Sequence, residues 1–440
     1  ETVSTDYDTS DGLFFEPITA EEVADVIETT EADGVMVQFG GQTSVNVGRP
    51  LEAELERRGL DCELMGTSVD AMDLAENRDR FNALMEEHGI AQPEGGSATS
   101  EEEALDLAHE IGYPVLVRTS YVLGGRAMDV VYSDDELKTY MEEAVRVSPD
   151  HPILIDEFLE DAVELDVDAV SDGEDVLIGG IMEHVESAGV HSGDSACVIP
   201  PRSLGREVNR EVREVVEKIA RELDTVGLLN VQLAVKDEEV YVLEANPRSS
   251  RTVPFVSKAT GVPIAKIAAK VMLGQSLEDL DVGEQVPEHH SFKEVVLPFD
   301  RLPDSDPRLG PEMKSTGEVM GTATDIAKAY DKAQDATGKP IPEGGTAVVD
   351  LSADEFPPAH TEAGRLLIDG YEEFFDVVEF DTEEAFIDAI RAGEIDLIVS
   401  RQRRPLTVAV EEDVTYFSTY ASATDVLEAL RAKDEPLDVM

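Results

Sequence analysis

The sequence predicts an α/β protein of several domains, and three observations carry that prediction. Strand-like and helix-like segments alternate near the N-terminus and again in the last stretch of the chain. Paired strand patterns joined by glycine or acidic turns fill the middle. At 440 residues the chain is long enough for roughly two to four domains. Val35–Phe39 is an apolar strand candidate closed by Gly40-Gly41, Leu51–Arg58 a helix stopped by Gly59, and Cys62–Met65 another short strand. This alternation predicts a parallel sheet. Ser100-Glu101-Glu102-Glu103 has the form of a capping box, and the helix it opens runs to Gly112. Val115–Arg118 is a strand after Pro114, and Tyr121–Val122 and Met128–Tyr132 flank a glycine turn. Val163–Val170 and Val176–Met182 are strands separated by a polar turn at Asp172-Gly173. Val208, Val212, Val215, Val216, Ile219 and Leu223 recur with helical period as one apolar face, with Gly227 as the expected stop. Leu228–Val235 and Val240–Ala245 read as an antiparallel hairpin. The Pro/Gly-rich stretch Gly338–Gly345 is the clearest linker. Beyond it, Thr346–Leu351, Thr361–Leu367, Ala385–Arg391, Leu397–Ser400 and Ala423–Arg431 repeat the β/α pattern.

Composition narrows the function. The 96 acidic and 35 basic side chains give a net charge of -61, while 42% hydrophobic residues suffice for ordinary cores. Such a charge repels phosphate backbones, which argues against general nucleic-acid binding. The acidic residues are spread along the chain rather than gathered in a tail. A basic partner would call for localised charge, so a solvated acidic surface adapted to high salt is the better reading. Cys62 and Cys197 lie far apart and outside any C-x-x-C, which excludes a disulfide framework and a zinc ribbon and fits a reducing, cytoplasmic setting. No apolar run approaches the length of a membrane-spanning helix, so no membrane partner is expected. Glu1-Thr2-Val3-Ser4 has neither an initiator Met nor a signal pattern and reads as a start inside a longer polypeptide.

Three constellations can carry chemistry. No G-x-x-x-x-G-K-[ST] occurs, and no G-x-G-x-x-G opens a helix after a strand. The glycine-rich element is instead Val122-Leu123-Gly124-Gly125-Arg126-Ala127-Met128, between two strand candidates. Its amides can fold over a polyphosphate, although a plain hairpin turn explains the same glycines. Arg118, at the end of the preceding strand, adds a fixed cation for phosphate oxygens. The second constellation is sharper. Glu244 and Asn246 are two apart and share one face of a strand, with Gln232 on the partner strand. All three offer oxygens of the kind hard Mg²⁺ or Mn²⁺ takes beside nucleotide phosphates, and Arg248 follows to meet a transferring phosphoryl group. A polar, exposed hairpin face is the competing explanation. The third is Gly189-Val190-His191-Ser192-Gly193-Asp194-Ser195, which suits a loop closing on a ligand; a structural histidine is the alternative. No H-E-x-x-H or G-x-S-x-G occurs, so neither a zinc site nor a hydrolase elbow is expected.

The metal reading makes a demand on geometry. If Gln232 opposes Glu244 in an unbroken antiparallel pair, Lys236 pairs with Val240 and Asp237-Glu238-Glu239 form a three-residue loop. The commoner two-residue loop puts Gln232 and Glu244 on opposite faces. A shared cation therefore needs an odd loop length or a bulge.

The stretches ETVSTDYDTSDGLFFEP, VQFGGQT, SYVLGGRAM, GVHSGDSAC, NVQLAV, EANPRSSRTVPFVSKATGVPIAKIAAK and MKSTGEVMG together resemble the large subunit of carbamoyl-phosphate synthetase, from Glu1 to about Ala336. The match is similar to the second of that subunit's two homologous halves, the one that phosphorylates carbamate for arginine and pyrimidine biosynthesis. The resemblance implies a truncated pre-ATP-grasp α/β domain over 1–76, an ATP-grasp unit with trailing helices over 77–337, and a small methylglyoxal-synthase-like α/β regulatory domain over 338–440. It implies phosphate contacts at Arg118 and His191, with Gly189, Val190 and Ser192 in the same loop and Arg78 as a further nucleotide contact. Glu157 and Leu159 resemble the adenine hinge, and Glu164 the ribose acceptor. Gln232, Glu244 and Asn246 match the ligands of Mg²⁺ or Mn²⁺, two per ATP site, with Gln232 and Glu244 also meeting ATP. Arg248 matches a catalytic arginine. The implied partners are a glutaminase small subunit and the N-terminal half of the same large subunit. The resemblance weakens at the C-terminus: Ile398-Val399-Ser400-Arg401-Gln402-Arg403-Arg404-Pro405 lacks the family's T-x-G-type phosphate loop. Arg401, Arg403 and Arg404 either bind an anion or form a solvated basic patch. Two other functions compete: another ATP-grasp ligase such as a carboxylase, which would share the metal carboxylate but not GVHSGDSAC, and a non-catalytic regulatory module, which would be expected to lose Glu244 or Asn246.

The charge yields the first testable expectation. The melting temperature should rise steeply between dilute and molar KCl as self-repulsion is screened. Thermal denaturation monitored by circular dichroism checks this, and an unchanged midpoint removes the high-salt reading.

Overall fold

The computed structural model describes residues 9–119, 128–147, 152–301, 305–353 and 356–433. At the N-terminal end, helices Ala20–Thr30 and Gly48–Arg58 cover a parallel pair of short strands, Gly34–Val35 and Glu63–Leu64. Ala24, Ile27, Leu51 and Leu55 form their core, and Gly59 ends the second helix in the left-handed conformation, as expected of a terminal glycine. The strand expected over Val35–Phe39 is not formed. Only Gly34–Val35 pairs; the chain then turns through a 3₁₀ segment at Gln38–Gly40 into a short helix, Gly41–Val45. The apolar pattern misleads because burial is inverted there: Gln38 is fully buried and Phe39 is exposed.

A small antiparallel sheet follows, in the order Gly95–Ala98, Ile153–Glu157, Val115–Thr119, Met128–Val131. Helices Glu101–Ile111 and Asp134–Val147 bury Ala104, Ala108 and Leu137 against Val115, Val117 and Ile155. Strand alternation puts Arg118 and Asp156 on the opposite face. The capping box is shifted by one residue: Ser100 Oγ accepts from the Glu103 amide at 3.2 Å, while the Glu103 carboxylate accepts from the Thr99 amide at 2.8 Å.

The main sheet has seven strands, every neighbouring pair that is resolved being antiparallel: Glu239–Asn246, Val226–Lys236, Val163–Asp172, Val176–His184, Cys197–Ile199, His290–Val296 and Gly317–Ala323. Helix Arg206–Glu222 lays Val208, Val212, Val216 and Ile219 on Leu165, Val167, Leu229, Val231 and Leu233. It stops before Gly227, at Leu223 and the left-handed Asp224; Gly227 sits inside the next strand at φ 107°. A Cβ at Gly227 would stand 2.5 Å from Gln38 Oε1, so its role is close approach rather than helix termination. The other face is covered at one end by helices Val253–Thr260 and Ile264–Met272, which pack on Val170, Met182, Ile199 and Leu228. Its other end carries polar side chains. Among the described residues no helix is long and apolar enough to cross a membrane.

Helix Ile326–Ala336 joins the main sheet to a C-terminal parallel sheet ordered Asp376–Val377, Thr346–Val349, Leu397–Val399, Thr415–Phe417. One core runs through the junction, with Phe292 and Tyr330 packed with Ala347, Tyr371, Val426 and Leu430. The expected helices appear at Glu362–Glu372, Glu383–Arg391 and Tyr420–Ala432; Arg403–Glu411 is an additional one. The basic cluster is paired rather than open. Arg404 meets Glu383 and Glu384, Arg403 lies 3.6 Å from Asp306, and Arg401 Nη1 donates to the Ser418 carbonyl at 3.3 Å.

The junction holds acids away from water. Glu186 and Asp425 are buried and Glu294 is partly buried. Arg202 donates to Asp425 at 2.6 Å, lies 3.8 Å from Glu183 and sits 6.0 Å over the Phe292 ring. Burial, with mutual repulsion, pushes Glu186 up to about 7 and Glu294 up to about 8. The folded chain thus holds protons that the unfolded chain, with carboxylates near 4.5, releases. The stability from this cluster is full below that value, falls as pH rises between about 4.5 and about 8, and is gone above. Denaturant titrations at fixed molar salt should show stability falling over that window, and the Glu186→Gln/Glu294→Gln variant should flatten the fall. An identical slope in the variant would rule out this cluster as its source.

Candidate active site

The site begins with a turn. Val226–Lys236 and Glu239–Asn246 are joined by Asp237-Glu238 alone, with φ 52° and 66°, the positive pair of a two-residue type I′ hairpin. The three-residue loop is therefore not formed. Lys236 pairs with Glu239 and Leu233 with Val242, a register that by itself would put Glu244 on the opposite face from Gln232. The register then shifts between Gln232 and Leu233, leaving Leu243 as an extra residue, and Gln232 opposes Glu244 directly. The bulge supplies what a shared cation requires.

Side chains continue from that pair. Gln232 Nε2 donates to Ser192 Oγ at 3.0 Å, so its amide nitrogen is engaged and its carbonyl oxygen is left for a cation. Asn246 Nδ2 donates to Glu244 Oε1 at 2.8 Å, and Arg248 Nη2 donates to Asn246 Oδ1 at 3.0 Å. Arg248 Nε also donates to Gln42 Oε1 at 3.1 Å, and Gln42 Nε2 to Glu76 Oε1 at 2.6 Å. Gln38 anchors the same segment: its Nε2 donates to the Pro247 carbonyl at 2.7 Å, and its own carbonyl accepts from the Ser249 amide at 2.9 Å. The motif VQFGGQT thus holds the arginine segment, a role invisible when it is read as a strand end.

Glu164, Asp166 and Asp168 lie on one face of their strand, beside Asn230 and Gln232. Asn230 Nδ2 donates to Asp168 at 2.9 Å and to Asp166 at 3.2 Å; His184 Nε2 meets Asp166 at 3.0 Å, and its Nδ1 lies 3.5 Å from Glu164. Burial raises Asp168 to about 6 against the pull of the hydroxyls and amide that bond it. Of these residues Gln232 stood out in the sequence and Glu164 through the family resemblance; the alternating acids Asp166 and Asp168 were the available signal for the rest.

Loop 189–195 closes over this face. Gly189 takes φ 103°, where a Cβ would also press on the Phe158 ring at 3.1 Å. The His191 amide donates to the Gly310 carbonyl at 2.9 Å, and its Nδ1 accepts from the Gly193 amide at 2.9 Å. Burial pushes the imidazole pKa down, against the nearby Asp194 and Glu244 charges. With Nδ1 accepting, the neutral ring carries its proton on Nε2 and presents a donor there. The buried Asp194 carboxylate accepts from the Lys314 and Ser315 amides, both at 2.8 Å, and the buried Lys293 Nζ donates to the Ser192 carbonyl at 3.4 Å. Asp194 pins the loop that the sequence had singled out, whereas Lys293 belongs to no recognisable sequence pattern.

The smaller sheet contributes a second group. Arg78 forms an ion pair with the buried Asp156, whose charge also feels Arg118. The Nε atoms of Arg78 and Arg118 are buried without a hydrogen-bond partner among the described residues. The Glu157 amide is taken by the Glu94 carbonyl at 2.7 Å. Leu159 is buried with Ala162 and Ala234, and so abuts the strand that carries Gln232. Val190 lies in loop 189–195 and is half-buried. The glycine-rich element Gly124-Gly125 lies outside the described residues. Among the described residues no three His, Cys, Asp or Glu side chains converge as a metal site. The amide oxygens of Gln232 and Asn246 beside the one carboxylate of Glu244 are the donor set, which suits a hard cation shared with phosphates.

Comparison with known proteins places these features in a family. Residues 77–280 match the model of the carbamoyl-phosphate synthase L chain, ATP binding domain, and residues 1–74 that of the carbamoyl phosphate synthase preATP-grasp domain. The chain is 70% identical to the carbamoyl phosphate synthase large chain of Halobacterium salinarum, over 100% of this chain and 40% of that one. It is 52% identical to the large chain of Methanosarcina mazei, over 100% of this chain and 44% of that one. It thus spans about two fifths of the length of these relatives. Among solved structures, biotin carboxylase from Campylobacter jejuni, a beta-gamma-ATP complex, aligns with a TM-score of 0.58 at 20% identity, over 72% of this chain and 78% of that one. The biotin carboxylase domain of Hydrogenobacter thermophilus 2-oxoglutarate carboxylase, in complex with MgADP, ADP and bicarbonate, aligns with a TM-score of 0.59 at 18% identity, over 75% and 80%. At these identities the likeness is one of fold: an α/β ATP-grasp-like unit preceded by a pre-ATP-grasp domain.

Proposed function

The chain belongs to the carbamoyl-phosphate synthase large-chain family, and on that premise we propose that it is the portion that phosphorylates carbamate, converting carbamate and ATP to carbamoyl phosphate and ADP. The observation that carries this reading is the bulged register that sets Gln232 opposite Glu244, with Asn246 and Arg248 in line beyond them. In this reading ATP lies between the smaller sheet and the polar face of the main sheet. Backbone groups at Glu157 and Leu159 meet the adenine, and Glu164 accepts from the ribose. Arg78, Arg118 and the Nε2–H of His191 meet phosphate oxygens, and the Gly189–Ser192 backbone lines the same phosphates. Gln232, Glu244 and Asn246 hold Mg²⁺ or Mn²⁺, two ions per ATP, which offset the phosphate charge when bound. Arg248 stabilises the transferring phosphoryl group, which the carbamate oxygen attacks in line with the departing ADP. The amide-bonded Glu244 and the Gln42-braced Arg248 are held in place before substrate arrives, so little reorganisation accompanies transfer.

The same reading assigns the unit beyond Gly338 to a methylglyoxal-synthase-like regulatory domain, supported by its four-stranded parallel sheet. It also assigns the glutaminase small subunit and the remainder of the large chain as partners, and the cytoplasm as location.

The test is the reverse partial reaction. The 440-residue chain in molar KCl, given ADP, carbamoyl phosphate and Mg²⁺, should form ATP, and chelation should abolish this. Glu244→Ala should lower the rate on the order of a hundredfold or more, because uncompensated phosphate charge is left at the site. Absence of ATP above background from folded protein would sink the proposal.

A further inference from the structure

We propose that Asp168 is the positioning residue that fixes the arginine segment 247–252 against the floor of the site. Pro247 to Arg251 belong to neither strand nor helix, yet they carry Arg248 and Arg251. The segment is anchored at both ends. At its start, Gln38 takes the Pro247 carbonyl at 2.7 Å and the Ser249 amide at 2.9 Å. At its end stands Asp168, 1% exposed, on a central strand of the main sheet. Its Oδ1 accepts from Ser250 Oγ at 2.7 Å and from Asn230 Nδ2 at 2.9 Å; its Oδ2 accepts from Thr252 Oγ1 at 2.7 Å. Ser250 Oγ and Thr252 Oγ1 lie 2.8 Å apart, so one carboxylate gathers both hydroxyls of the segment's last turn.

The sheet supplies the rigidity. Asn230 pairs directly with Asp168 across the strands and with Asn246 on its other side. Its amide also reaches Asp166, which meets His184, which in turn lies 3.5 Å from Glu164. The segment that aims Arg248 is thereby tied through buried polar contacts to the strand position read as the ribose acceptor. A displacement of about 1 Å at a transfer site costs on the order of a hundredfold in rate, and two hydroxyls held by a buried carboxylate remove that freedom.

This inference rests on reading Arg248 as the phosphoryl contact, and two readouts separate the claims. The first is steady-state kinetics of ATP formation from MgADP and carbamoyl phosphate, using Asp168→Asn and Ser250→Ala/Thr252→Val. Both variants should lose roughly tenfold or more in kcat with the KM for MgADP within about twofold, because the transferring group rather than nucleotide binding loses its partner. Thr252→Ser, which keeps the hydroxyl, should retain the wild-type kcat. The second readout is amide hydrogen exchange at residues 248–251, which should speed up in both variants relative to neighbouring strands. If Asp168→Asn fails to fold, the hydroxyl variant decides, since it leaves the carboxylate and the Asn230 bond in place. Wild-type kcat in the folded variants, a loss confined to KM, or unchanged exchange at 248–251 would overturn the proposal. A wild-type chain that makes no ATP would overturn the functional reading instead, with the exchange measurement still deciding the positioning role.

Discussion

The bulge at Leu243 is the constraint on which the site depends. A strand has two faces, and a tight two-residue turn assigns them by parity alone. The Asp237-Glu238 turn would have sent Glu244 to the side packed by helix Arg206–Glu222, into a layer of valines and leucines. One extra residue reverses that assignment for everything beyond it. Glu244, Asn246 and the chain leading to Arg248 then join Gln232, whose amide in turn reaches Ser192 in the overlying loop. A single backbone irregularity therefore decides whether a carboxylate, two amides and a guanidinium act together.

The same two-faced logic organises the rest of the main sheet. Odd-numbered positions such as Leu165, Val167, Leu229, Val231 and Leu233 build the core under the long helix. Even-numbered positions place Glu164, Asp166, Asp168, Asn230 and Gln232 on the other side. Burying such groups is costly unless they bond one another, and here they do so in a continuous row from Thr252 to His184. In a chain of net charge -61, buried acids among the described residues such as Asp166, Asp168, Glu183, Glu186 and Asp194 have neighbours that donate to them.

Segments distant in sequence complete the arrangement. Gln38 and Gln42 arrive from the N-terminal unit to brace the arginine segment. The stretch around 306–315 braces the loop at His191 through Gly310, and Asp194 through Lys314 and Ser315. That stretch also touches the C-terminal unit, where Tyr416 Oη donates to the Pro307 carbonyl at 3.3 Å and Arg403 lies 3.6 Å from Asp306. The position of loop 189–195 is thus set partly by contacts that lead to the C-terminal sheet.

The sequence by itself determined what local periodicity and residue chemistry encode. The helical spacing of Val208, Val212, Val216 and Ile219 identified a buried face, and the spacing of Glu244 and Asn246 identified a shared strand face. The stretches that resemble the carbamoyl-phosphate synthetase large subunit pointed to the family that the comparisons support. Tertiary structure alone decided the points where a neighbour overrules the pattern. Gln38 is buried and Phe39 exposed because the glutamine must reach Pro247 and Ser249; Gly227 serves the approach of Gln38 rather than a helix end. The choice between a longer loop and a bulge was open, since both satisfy the same parity, and only the paired strands settle it. Asp168 looks in sequence like any alternating strand residue. Its role depends on Ser250 and Thr252, 82 and 84 positions away, and a contact of that range leaves no local period to read.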